Sequence, residues 1–132
     1  MKRLTPCLLL AILLLTGFRH QDARIYVELA QMYSGRGDND TALALYDRAI
    51  SLEPQNRDLY VARGFFLLKQ NRLDPALADL STVITLQPDK ADGYLSRGLV
   101  YLQHDKADLA RADFSKACQL GDTSGCQFLK EQ

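Results

Sequence analysis

Residues 57–90, from Arg57 to Lys90, read RDLYVARGFFLLKQNRLDPALADLSTVITLQPDK. Small and apolar residues recur three and four apart in Tyr60, Gly64 and Leu67, and again in Ala76, Leu80 and Val83. Each set falls on one face of an α-helix. Between them stands Asn71, a residue type that tolerates a left-handed turn. After them comes Pro88, which cannot continue a helix. The stretch predicts two helices joined by a tight turn.

The same pattern lies on both sides. Residues 23–56 (ARIYVELAQMYSGRGDNDTALALYDRAISLEPQN) and 91–124 (ADGYLSRGLVYLQHDKADLARADFSKACQLGDTS) align with it, without a gap, at a period of 34. Position 4 is Tyr26, Tyr60 and Tyr94; position 8 is Ala30, Gly64 and Gly98; position 11 is Tyr33, Leu67 and Tyr101. Position 20 is always alanine (Ala42, Ala76, Ala110), position 24 is Tyr46, Leu80 and Phe114, and position 27 is Ala49, Val83 and Ala117. Small residues at 8 and 20 let two helix backbones approach, and large neighbours fill the space around them. The turn residue at position 15 is Gly37, Asn71 or Asp105. Asp40, Asp74 and Asp108 at position 18 are expected to cap the second helix of each pair, with Pro75 at its first helical position. Pro54 and Pro88 close the second helices, whereas the third copy has Asp122 there. Positions 7 and 23 pair Leu29 with Leu45, Arg63 with Asp79, and Arg97 with Asp113. An ion pair is expected in copies two and three where copy one has an apolar contact.

This pattern resembles the tetratricopeptide repeat family. The resemblance covers residues 23–124, in copies 23–56, 57–90 and 91–124, and departs from the family by carrying Tyr at position 4 and Asp122 in place of proline. It implies an all-α fold, a right-handed superhelix of three helix hairpins, with residues 125–132 as a short C-terminal capping helix. It further implies a concave groove lined by the first helix of each pair, at positions 2, 5, 9, 12 and 13. Those positions give Val27, Gln31, Asp58, Val61, Phe65, Leu68, Lys69, Asp92, Leu95, Leu99 and Leu102, with Arg24, Ser34 and Gln103 beside them. The groove so drawn is aliphatic in the middle, with aspartate at one rim. The family's Lys/Asn clamp for a C-terminal carboxylate is missing, because Val27 and Gln31 stand where it needs Lys and Asn. A chaperone-tail adaptor role is therefore not expected.

Cys118 and Cys126 lie near the C-terminus in ACQLGDTSGC. Gly121 can end one helix in a left-handed cap and Asp122, Thr123 or Ser124 can start the next. Such a reversal can bring two Cα atoms within disulfide range. A structural disulfide is the first expectation, with buried thiols as the alternative. Zinc is disfavoured, since the segment offers two ligands where about four are needed. The segment is also similar to the cysteine-rich Sel-like repeats of exported bacterial proteins, which implies a crosslinked helix pair. The crosslink would hold a terminal helix carrying Phe128 and Leu129.

Residues 1–22 differ from the rest. Lys2 and Arg3 precede an unbroken apolar run, Leu8–Leu15. This is the layout of a signal peptide, and the run is shorter than the roughly 20 residues that cross a bilayer. Residues 1–22 are expected to be a signal peptide or an N-terminal anchor, which would tether the protein to a membrane. Cys7 precedes the apolar run instead of following it, so lipidation there is not expected. Export to the periplasm or cell envelope follows, an oxidising setting in which Cys118 and Cys126 make an even pair.

Formal charge is zero over 132 residues, which does not suggest a nucleic-acid binder. Two histidines, His20 and His104, leave little material for metal or acid–base chemistry. Gly35-Arg36-Gly37 is a turn and not a phosphate loop. The reading is a non-enzymatic interaction module without a cofactor. Its partner is a protein or peptide, or a second copy of itself in a self-assembling structural protein.

Overall fold

The computed structural model describes residues 23–131, which form helices and turns only. The expectations for residues 1–22, including the apolar run and Cys7, lie outside the described residues. The helices are α1 (residues 23–35), α2 (Asn39–Leu52), α3 (Arg57–Lys69), α4 (Leu73–Leu86), α5 (Ala91–Gln103), α6 (Ala107–Gln119) and α7 (Thr123–Lys130). The chain falls into two units, residues 1–59 and 60–132.

One device ends α1, α3, α5 and α6. Gly37, Asn71, Asp105 and Gly121 have φ of 84°, 55°, 59° and 95°. Beyond each, an amide reaches back five residues to a carbonyl: Asp38 to Tyr33 (3.0 Å), Arg72 to Leu67 (2.9 Å), Lys106 to Tyr101 (2.9 Å) and Asp122 to Ala117 (3.0 Å). This is the Schellman closure, which satisfies carbonyls the helix end leaves open. The residue that donates the closing bond is also the N-cap of the next helix. The turns therefore have no spare residue.

That economy corrects the expected caps. Asp38, not Asp40, caps α2, accepting from the Thr41 amide at 3.1 Å. Arg72 and Lys106 occupy the N-cap sites of α4 and α6 without a side-chain cap bond. Asp40, Asp74 and Asp108 sit inside the first turn, where a negative charge meets the positive end of the helix dipole. Pro75 is the third helical residue of α4, still among those whose amide the helix leaves unbonded. In contrast, α2 and α4 end with the Glu53 and Gln87 amides on Ala49 and Val83, one residue before Pro54 and Pro88. Where Asp122 replaces proline, α6 closes on Gly121 and α7 follows at once. Asp122 caps α7 through the Gly125 amide at 2.7 Å.

In the first unit, Ala30, Ala42 and Ala49 have no solvent exposure, as a close helix approach requires. Ala23, Ala49 and Leu59 form a core cluster with Tyr26, Val27, Ile50 and Leu52 against it. Tyr46 is buried, and desolvation raises its phenol pKa above the ordinary value.

The core of the second unit is Leu67, Ala76, Leu80, Val83, Ala110, Phe114 and Ala117, all nearly inaccessible. Both expected ion pairs form. Arg63 donates to Asp79 through Nε (2.9 Å) and Nη2 (2.6 Å), and Arg97 to Asp113 through the same atoms (both 2.8 Å). The carboxylates are buried, and the guanidinium carbons stand 6.0 and 5.9 Å from the Tyr60 and Tyr101 rings. The Asp113 hydrogen bond raises the Arg97 pKa further above its already high value. α7 packs on α6: Phe128 stacks on Phe114 with ring centroids 4.7 Å apart. Cys118 and Cys126 are joined, with Cα atoms 4.7 Å apart.

Candidate functional site

α4 is the backing on which α3 and α5 are set. The Arg63–Asp79 pair ties α3 to α4. Arg97 ties α5 both to α6, through Asp113, and to α4, through Nη1 on the Ser81 hydroxyl at 2.9 Å. With those faces committed, α3 and α5 leave a hollow of about 420 Å³ between them. Phe65, Leu68, Lys69 and Asn71 line it from one side, and Ser96, Leu99, Val100, Gln103 and His104 from the other.

Phe65 and Leu99 are 47% and 41% exposed. Two large apolar side chains at the mouth of one hollow make an unusual surface, because well-packed helices bury such groups where they can. Apart from Ser96, in the middle of α5, the polar lining is gathered at the C-terminal ends of the two helices. Lys69, Gln103, Asn71 and His104 all lie there, and among the described residues their side chains make no hydrogen bond or ion pair. Among the described residues the lining contains no carboxylate.

A second hollow, of about 310 Å³, lies in the first unit, lined by Arg24, Val27, Glu53, Asn56, Asp58 and Leu59. Its polar groups are largely committed to partners within the first unit. Arg24 pairs with Glu28 at 3.1 Å, Asn56 donates to Glu53 at 2.7 Å, and the Asp58 amide donates to Asn56 at 3.1 Å.

The expected groove residues thus divide. Phe65, Leu68, Lys69 and Leu99 come together in the larger hollow, with Gln103, and Val27 and Asp58 in the smaller. Val61, Leu95 and Leu102 are half-buried and line neither; Gln31 and Asp92 are exposed and also line neither. Asn71, Ser96, Val100 and His104 line the larger hollow although none of them falls on an expected groove position. Among the described residues no three His, Cys, Asp or Glu side chains gather to hold a metal ion, and no helix is long and apolar enough to cross a membrane.

The family model for the tetratricopeptide repeat matches residues 33–98, half of the chain, and the protein belongs to that family. Solved structures share the fold at low identity. The N-terminal domain of stress-induced protein-1 (STI-1) from C. elegans superposes with a TM-score of 0.75 at 17% identity, over 86% of this chain and 95% of that one. The second TPR domain of human RPAP3, in complex with an HSP70 peptide, gives 0.68 at 22% identity, over 86% and 96%. YrrB, described as a TPR protein with an unusual peptide-binding site, gives 0.69 at 20% identity, over 84% of this chain and 58% of YrrB. No curated protein matches the chain by sequence.

Proposed function

We propose that the protein is a non-enzymatic protein–protein interaction module, and that the α3–α5 hollow holds an apolar side chain of a partner peptide or helix. The observation that carries this is the joint exposure of Phe65 and Leu99 over one hollow. Helical partners seat apolar anchors in grooves of this kind. The human RPAP3 domain, a structural relative, holds an HSP70 peptide, which supports the use of this fold for peptide binding. The partner here is not a chaperone tail of that kind, because Val27 and Gln31 replace the Lys and Asn that such a clamp needs.

The module works in the periplasm or cell envelope, after export on residues 1–22 or tethered by them. Lys2, Arg3 and Leu8–Leu15 support this reading. The Cys118–Cys126 pair supports it too: in that compartment it is oxidised and locks α7, as in the Sel-like repeats its segment is similar to. A second reading, self-association, is favoured by Ile25 and Met32, which are 48% and 43% exposed on α1.

Crosslinking in cells followed by pull-down tests the groove. Partners captured by the native protein should be lost by a folded Phe65→Glu, Leu99→Glu variant. Retention of every partner by that variant would remove the groove from the account. Sedimentation of the purified protein tests the second reading, which a concentration-independent monomer would exclude. Intact mass with and without reduction tests export. A chain cut near residues 17–23 with two blocked thiols is the expected result; a full-length chain with three free thiols would contradict it.

A further inference from the structure

The hollow has an axis. Along α3, Phe65 is followed four residues later by Lys69, and along α5, Leu99 is followed four residues later by Gln103, with His104 next. Four residues of helix rise about 6 Å. An apolar wall therefore gives way, one turn further on, to a corner of one ammonium group, two amides and an imidazole. Among the described residues those side chains have no hydrogen-bond or ion-pair partner, and none of those that line the hollow is a carboxylate. The smaller hollow differs, since it carries Glu53 and Asp58 and its one cation, Arg24, is already paired.

We propose that the α3–α5 hollow selects a partner segment in which an apolar side chain is followed, about one helical turn on, by an Asp or Glu side chain. The inference rests on the groove reading above and specifies its chemistry. The apolar residue meets Phe65, Leu68 and Leu99, and the carboxylate meets Lys69 with amide support from Gln103 and Asn71. The source is a side-chain carboxylate within a segment, not a chain terminus, because Val27 and Gln31 stand where the family's clamp for a C-terminal carboxylate needs Lys and Asn. Lys69 also lies in the last turn of α3, where any cation complements the helix dipole. That role would alter stability and leave binding selectivity unchanged, so the two roles separate in a binding experiment.

The experiment selects peptides from a random library displayed with neither terminus free, using the full exported chain as bait. The expected enriched peptides share an apolar residue and an acidic residue three or four positions later. Their binding is abolished by Phe65→Glu and weakened about tenfold by Lys69→Glu, and it falls as salt is added. Lys69→Arg keeps it, and a peptide with Asn or Gln in place of the acid is indifferent to Lys69→Glu. Circular dichroism shows that each variant remains folded. Apolar peptides enriched without acidic preference, yet lost in Phe65→Glu, would overturn this inference and leave the groove reading standing. If no enriched peptide depends on Phe65, both are overturned.

Discussion

Arg97 does three things at once: it neutralises a buried carboxylate, bridges to Ser81 on α4 and lies over Tyr101. Removing it leaves Asp113 buried without its charge partner, and such single deletions cost about 3 kcal/mol. Copy one supplies the comparison, since Leu29 and Leu45 occupy the same repeat positions. Arg97→Leu should therefore destabilise by about 3 kcal/mol, whereas Arg97→Leu with Asp113→Leu should recover most of that loss. Urea unfolding of the two variants checks this. A second residue-scale contrast lies at position 8. A β-carbon on Gly98 would stand 2.7 Å from Phe114 Cε1, and Phe114 is fully buried and stacked on Phe128. One on Gly64 would meet nothing nearer than 3.4 Å. Gly98→Ala should cost about 1–3 kcal/mol through overpacking, while Gly64→Ala should be neutral or stabilising through helix propensity. Thermal melts separate the two. Tyr46 carries the pH prediction. Its folded pKa is raised by burial, so above about pH 10 the unfolded chain releases the phenol proton first. The folded state then holds more protons, and stability falls as pH rises. Tyr46→Phe should flatten that alkaline fall in urea midpoints; an unchanged slope would assign the fall to other groups.

At the scale of elements, the sequence made the helix ends legible where a backbone constraint left a mark. Gly37, Asn71, Asp105 and Gly121 were readable because few residue types accept positive φ. The N-caps were not, because Arg72 and Lys106 are poor cap formers that the turn places there regardless. The bond that closes one helix fixes where the next begins, and side-chain preference has no vote. The departure from the repeat at Asp122 had a structural consequence: α6 ends as the first helices do, which permits α7 to follow without a linker. α7 has eight residues, too few to be stable alone, so Phe128 and the Cys118–Cys126 link must hold it. By loop-entropy reasoning such a link contributes about 2–3 kcal/mol. Cys126→Ser should lower stability by about that amount, and reduction should speed hydrogen exchange in α7 while α5 stays protected. Equal exchange before and after reduction would mean that packing alone secures α7.

At the scale of the whole molecule, period and helical spacing made the family readable, because three ungapped copies impose the same packing three times. The lining of the α3–α5 hollow was only partly readable. Phe65, Leu68, Lys69 and Leu99 were found because repeat register names the face a residue occupies. Asn71 and His104 were missed because the hollow runs past the helix into the turn, where helical register no longer applies. Val100 was missed because neither the core nor the groove positions read from the repeat fall on it; it is 4% exposed and still lines the hollow. Leu102 was expected and does not line the hollow; it shares its repeat position with Leu68, but α5 and the turn after it contribute Ser96, Leu99, Val100, Gln103 and His104 instead. A hollow belongs to two neighbouring helices, and a repeat position describes only one.

The α3–α5 hollow is the place proposed for the partner. Its most direct test is the affinity of a partner segment, labelled and titrated against the native protein and against the Phe65→Glu, Leu99→Glu variant, with helicity measured on both. The account predicts unchanged helicity and a loss of about a hundredfold or more in affinity. Equal affinity for the two folded proteins would contradict it.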